Sequence, residues 1–176
     1  MHGVVHSLLQ QFIVETYTKE VWDKVYISAK LQTKEYLPSN IYGDEEFSKV
    51  VIETSKILNK SGEILQEEFG EFMLPHLMKM YSSFVKPTWK ALDFLENVEE
   101  VIHRTVRLKN YGAHPPTLFV KRINSKEIEL EYNSPRKMTH LLLGMIRGTG
   151  KYYNENLVIT PLPQEGSIYK VLIKVH

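Results

Sequence analysis

Seven histidines and no cysteine bound the chemistry open to this chain. Without a thiol there is no disulfide, thiolate zinc site, iron–sulfur cluster or cysteine nucleophile. Any metal must therefore be held by His, carboxylate, Tyr or Met. His103 has the most distinctive surroundings. On a helical wheel it lies beside Leu92 and Val106, at the edge of an apolar arc formed with Phe94, Leu95, Val98 and Ile102. Two readings are open: a boundary histidine with no ligand role, or an axial metal ligand, because an imidazole at the lip of an apolar cavity suits haem iron.

A second constellation is Tyr132-Asn133-Ser134-Pro135-Arg136. In extended backbone, Tyr132, Ser134 and Arg136 share the core side with Ile128 and Leu130. A guanidinium aimed at a core needs an anion, because unpaired buried charge is very costly. Hydroxyls beside it suit a carboxylate ligand. The alternative is that the strand ends and Arg136 curls out to solvent or pairs with a glutamate. A third is the His114-Pro115-Pro116 elbow, a stiff extended corner. It is either a plain linker or a proline ring wedged against a planar cofactor. The other histidines form no His-Glu-x-x-His motif, so a metalloprotease has no support. His2 and His6 read as surface imidazoles. The 147–151 segment, Arg-Gly-Thr-Gly-Lys, has no strand leading into it and does not read as a phosphate cradle.

These groups must be positioned by helices first and strands later. Val5, Leu8, Leu9, Phe12 and Ile13 recur at helical spacing, as do the 21–22 and 25–26 apolar pairs. Asp44 is placed to cap a helix carrying Phe47, Val50 and Val51, and Ser61 opens another that Pro75 should break or kink. A long helix is expected over about 89–109, stopped by Asn110-Tyr111-Gly112, with Arg107 facing solvent. After the prolines the period becomes two. Residues 126–132 alternate Glu with Ile128, Leu130 and Tyr132, a half-buried antiparallel strand whose hairpin partner is 118–123. A helix from Lys137 and strands over 156–160 and 168–175, joined through 161–166, complete the pattern. The expected class is α+β, with an N-terminal helical part to about Tyr81 and a C-terminal part holding the long helix and a four-stranded antiparallel sheet.

Composition excludes other classes. The 176 residues are one domain's worth, and 43% hydrophobic residues argue against disorder. The 22 Lys and Arg against 21 Asp and Glu leave a net charge of +1, with no excess to mark a binder of nucleic acid or membrane surfaces. The longest apolar runs fall far short of a membrane span and no leader is evident, so a cytoplasmic location is expected.

Taken together these residues resemble the H-NOX family, the haem nitric oxide/oxygen-binding domains of bacteria and of animal soluble guanylate cyclase. The opening Met1-His-Gly-Val-Val-His-Ser-Leu-Leu and the later Glu20-Val-Trp-Asp look like its first two helices, and Gly62-Glu-Ile-Leu-Gln like a further one. His103 falls at the place of the proximal haem ligand, Pro115-Pro116 follow at the family spacing, and Tyr132-x-Ser134-x-Arg136 is similar to its propionate-binding signature. The resemblance covers essentially the whole chain, 1–176, as a single domain. Thr18 and Pro135 depart from the family pattern.

The resemblance implies a b-type haem (iron protoporphyrin IX) between the two parts, held by His103, Pro116, Tyr132, Ser134 and Arg136. It implies a stand-alone bacterial gas sensor without enzymatic activity. Nitric oxide or CO would bind opposite His103, and release of that histidine would let the two parts rotate. The output would act in trans on a histidine kinase or a cyclic-di-GMP enzyme. Oxygen-binding members are implied to carry a tyrosine where this chain has Leu141. With Val5, Leu9, Leu77 and Met145 also placed on the distal side, oxygen should be excluded unless His6 swings in as a donor. Two other functions compete: a haem enzyme of peroxidase or oxygenase type, using His6 or His140, and a binder of an apolar carboxylate without iron.

Overall fold

Helical spacing in the first eighty residues becomes four helices, α1 (Gly3–Thr16), α2 (Lys19–Ser28), α3 (Asp44–Leu58) and α4 (Gly62–Met80). The computed structural model describes residues 1–109, 112–164 and 166–176. The caps explain where three of these helices begin. His2 Nδ1 accepts from Val4 N–H at α1, Thr18 from Val21 at α2, and Ser61 from Glu63 and Ile64 at α4. Thr18, a departure from the family pattern, thus has a local task. Asp44 is not the cap expected of it. Gly43 holds that position, and the Asp44 carboxylate is drawn away to Arg136 and the amino group of Met1. Nor does Pro75 break α4, which runs on through it. The lost hydrogen bond is offset by packing, because α4 lies along α7 in the most extensive contact between any two elements described.

The long helix starts at Ala91, not Trp89. Asp93 and Glu155 accept from the backbone N–H groups of Lys90 and Ala91 and fix that start. The helix comprises α5 (Ala91–Val98), a π-helical turn (Glu99–His103) and α6 (Arg104–Lys109). Within the turn, Arg104 N–H reaches back five residues to Glu99 O. Asn110 and Tyr111 of the expected helix stop, and Glu165 of the last connection, lie outside the described residues.

Strands β1 (Thr117–Asn124), β2 (Glu127–Asn133), β3 (Leu157–Pro161) and β4 (Tyr169–Val175), with α7 (Thr139–Tyr153) between β2 and β3, complete the α+β fold. The sheet order is β1-β2-β4-β3, and every neighbour is antiparallel. Ile128, Leu130, Val171 and Ile173 face inward and are fully buried. On the outer face the alternating glutamates meet lysines across the β2–β4 ladder, Glu131 with Lys170 and Glu127 with Lys174. Among the described residues no helix is long and apolar enough to cross a membrane.

Two apolar cores result. One gathers α1 to α3 with Phe69 and Met73 of α4; the other gathers the sheet, α5 and α7 with Leu74 and Met78. Helices α4 and α7 join them through backbone contact at glycines. A Cβ on Gly70 would sit 2.6 Å from Leu141 O, and one on Gly144 would collide with Glu67 O. Gly144→Ala should therefore destabilise by roughly 1–3 kcal/mol. Gly62→Ala meets nothing nearer than Val51 at 3.4 Å, and should stabilise by about 0.4–1 kcal/mol. Urea unfolding of the two variants checks the contrast. Equal midpoints would refute the close approach.

Candidate functional site

A cavity lies between the two cores. Its wall is mostly apolar and is drawn from α1, α4, α5 to α6, the proline elbow, β1, β2 and α7. His103, Pro116, Tyr132, Ser134 and Arg136 all line it. So do Val5, Leu77, Leu141 and Met145. Leu9 does not. It is 4% exposed and packs inside the first core, on the same helix face as Val5 but one turn further along, past the end of the cavity wall.

His103 is held by the π turn at the cavity wall. Its Nδ1 lies 3.0 Å from Glu99 Oε2. An ionised carboxylate only accepts, so in the neutral imidazole Nδ1 carries the proton and Nε2 keeps its lone pair. Nε2 has no hydrogen-bond partner among the described residues. Burial works to raise the Glu99 carboxyl. Hydrogen bonds from His103, Arg107 and Leu118 N–H outweigh it and hold the group at about 2. Arg107 is exposed, as expected, but its guanidinium is committed. It donates to Glu99 Oε1 at 2.6 Å and to Pro116 O at 2.8 Å.

The 132–136 segment reaches the cavity by a different route from the one its spacing predicts. Strand β2 ends at Asn133, and a turn follows in which Arg136 N–H donates to Ser134 Oγ and Lys137 N–H to Ser134 O. Lys137 has a left-handed backbone, φ 49°, so α7 starts at Thr139 rather than at Lys137. The turn still leaves Tyr132, Ser134 and Arg136 on one wall. The anion that Arg136 needs is Asp44, which accepts from Nε at 2.8 Å, while Nη1 donates to His114 O. Burial raises the Asp44 carboxyl, but the Arg136 guanidinium and the Met1 amine hold it below its usual range. Tyr132 and Ser134 act as acceptors, from Met138 and Arg136 N–H. Their own protons, and Arg136 Nη2, meet no acceptor among the described residues. Such a set of spare donors fits a carboxylate, while the Nε2 lone pair fits a metal. An apolar cofactor carrying both kinds of group matches this cavity.

Of the remaining histidines, His2 and His114 also line the cavity, and His2 Nε2 has no partner among the described residues, while His6 and His140 lie elsewhere. His6 is fully buried, not at the surface, and packs against the rings of Tyr36, Tyr42 and Phe47 at 5.0, 5.3 and 6.4 Å. Burial lowers its pKa, and it does not line the cavity. His2 caps α1 and is half-buried. His140 faces Glu67 at 2.9 Å and lies off the cavity. Two hydroxyls in the wall were missed by sequence reasoning. Thr149 is 1% exposed and donates to Met145 O at 2.9 Å. The Tyr81 hydroxyl has no hydrogen-bond partner among the described residues, and burial raises its pKa. The spacing of Leu74, Leu77 and Tyr81 along one helix face was the available signal.

Known proteins share this chain's sequence pattern and its fold. The HNOB family model, described as haem-NO-binding, matches residues 2–161. An H-NOX protein from S. oneidensis, solved in the Fe(II)NO ligation state, superposes with a TM-score of 0.91 at 18% identity, over 100% of this chain and 99% of that one. An unliganded Fe(II) H-NOX mutant from K. algicida gives 0.88 at 21% identity, over 100% and 97%. At these identities the structures establish a shared fold, and the family match covers most of the sequence. The chain belongs to the haem-NO-binding (H-NOX) family.

Proposed function

We propose that the chain is a nitric oxide sensor, not an enzyme, built on a b-type haem held by His103 and by Tyr132, Ser134 and Arg136. One observation carries this reading: a single apolar cavity presents an imidazole with an uncommitted Nε2 and, at 132–136, three uncommitted donors. Ferrous haem, when bound, supplies the centre at which a gas binds. His103 would be its protein ligand. Tyr132, Ser134 and Arg136 would anchor its acidic groups, and Pro116 would give a rigid surface against its plane. Val5, Leu77, Leu141 and Met145 offer no hydrogen-bond donor from their side chains to a bound gas. Nitric oxide and CO tolerate such a wall, whereas oxygen, which gains partial negative charge on binding, is held well only with a donor. A histidine kinase or cyclic-di-GMP enzyme would read the outcome in trans.

Three outcomes follow from these assignments. His103→Gly should retain haem poorly, and free imidazole in the buffer should restore a bound absorption spectrum. A variant with the unmodified ferrous spectrum would mean that another residue is the ligand. Arg136→Ala should weaken haem binding about tenfold to a hundredfold, since a charge-assisted hydrogen bond contributes roughly 1.5–3 kcal/mol. Arg104→Ala, at a side chain 68% exposed, should leave it unchanged. Haem transfer to an apo-globin measures both, and equal retention counts against the anchor. The ferrous protein should bind nitric oxide and CO but not oxygen in air, and Leu141→Tyr should add oxygen affinity. A stable oxygen spectrum in the unmodified protein would overturn the selectivity, with Tyr81→Phe as the variant to abolish it.

A further inference from the structure

Glu99 holds three groups at once. Oε2 lies 3.0 Å from His103 Nδ1 and accepts from Leu118 N–H at 3.0 Å, and Oε1 accepts from Arg107 Nη1 at 2.6 Å. Arg107 in turn donates its other Nη to Pro116 O at 2.8 Å. One carboxylate therefore fastens the imidazole to the start of β1 and, through Arg107, to the proline elbow. Glu99 and His103 are the two ends of the π turn, and their side chains are only 21% and 17% exposed. The neighbouring pair Glu100–Arg104 has the same spacing and a 3.0 Å contact, but it is 69% and 68% exposed and its side chains have no further hydrogen-bond or ion-pair partner among the described residues. Such a surface pair contributes only a few tenths of a kcal/mol. Glu99 is built differently.

We infer that Glu99 is a positioning residue that acts through His103. It fixes the ring's tautomer and orientation, strengthens Nε2 as a donor to a metal, and ties that donor to the elbow. The inference rests on the reading of His103 as the haem ligand. A carboxylate that accepts the second N–H of a ligating histidine raises its basicity, and such partners matter to the metal as the ligand itself does. Arg107 and Leu118 N–H hold the carboxylate whether or not His103 uses it. The elbow therefore sets where Glu99 stands, and a displacement of the elbow changes how firmly the imidazole is gripped.

The test uses the haem-loaded ferrous protein, with the iron–histidine stretch read by resonance Raman and the midpoint potential by titration. Glu99→Gln keeps the shape and removes the charge. It should move the stretch to lower wavenumber and raise the potential, and Glu99→Ala should do so further. Arg107→Ala leaves the Glu99–His103 pair in place and should shift both less than Glu99→Gln, while Glu100→Ala should shift neither. Unchanged values in both Glu99 variants would overturn the inference. So would an equal effect of Glu100→Ala, which would mark it as a general charge effect on the helix. A haem-loaded unmodified protein with no iron–histidine band would instead overturn the ligand reading beneath it.

Discussion

A polar group at the wall of an apolar cavity must have its hydrogen bonds accounted for, and this requirement organises the molecule. His103 meets it on one side through Glu99, leaving one nitrogen uncommitted. Arg136 meets it through Asp44 and the carbonyl of His114, leaving one nitrogen of its guanidinium uncommitted. Each group is thus held in place while keeping one nitrogen open toward the cavity. The partners come from different places: Glu99 from one turn earlier on the same helix, Asp44 from the first turn of α3 in the helical half. Arg136 is therefore a cross-brace between the helical half and the sheet half as well as part of the wall.

Helices α4 and α7 make that arrangement possible. Their backbones approach so closely at Gly70 and Gly144 that no side chain fits between them. They run along the boundary of the two cores, and Met73, Leu74, Leu77, Leu141, Leu142, Met145 and Ile146 present the cavity with side chains from both. Ion pairs close the solvent side of the contact, Glu67 with Arg147 and Glu71 with Lys151. Interiors are close-packed, so a contact of this kind holds two halves at a fixed separation and resists gradual deformation.

Much of this was legible in the sequence. Alternation of Glu with Ile128, Leu130 and Tyr132 identified β2, because the period of a strand is a property of its own residues. The α+β class followed from the change of period after the prolines. What was not legible depends on contacts distant in sequence. Nothing in 91–109 forbids a regular helix, so the π turn gave no signal. Asp44 has the composition of a cap, and only the arrival of Arg136, 92 positions away, redirects it. His6 has the composition of a surface residue, and only three rings from later segments enclose it. Leu9 differs from Val5 by one helical turn, and a wheel cannot say which of two adjacent apolar residues faces a cavity and which faces a core. The spacing of Tyr132, Ser134 and Arg136 led to the right wall by the wrong geometry. A turn and an extended strand can both set alternate residues on one side.

The hydroxyls in the wall show why chemistry needs a tally of protons as well as of residue types. Thr149 lines the cavity but spends its proton on Met145 O, the usual bond of a threonine to the carbonyl one turn back. It is a donor by composition and not by geometry. Tyr81 stands at the end of α4, packed with the second core, and has not spent its proton on any described residue. Tyr132 and Ser134 each accept a backbone N–H, which orients the oxygen while leaving the hydroxyl proton free to turn toward a ligand. A count of polar residues would treat all four alike. The hydrogen bonds divide them into one that is closed to a ligand, one that is free and unoriented, and two that are free and aimed by the backbone beside Arg136. That oriented pair is the part of the wall best prepared to receive an acidic group.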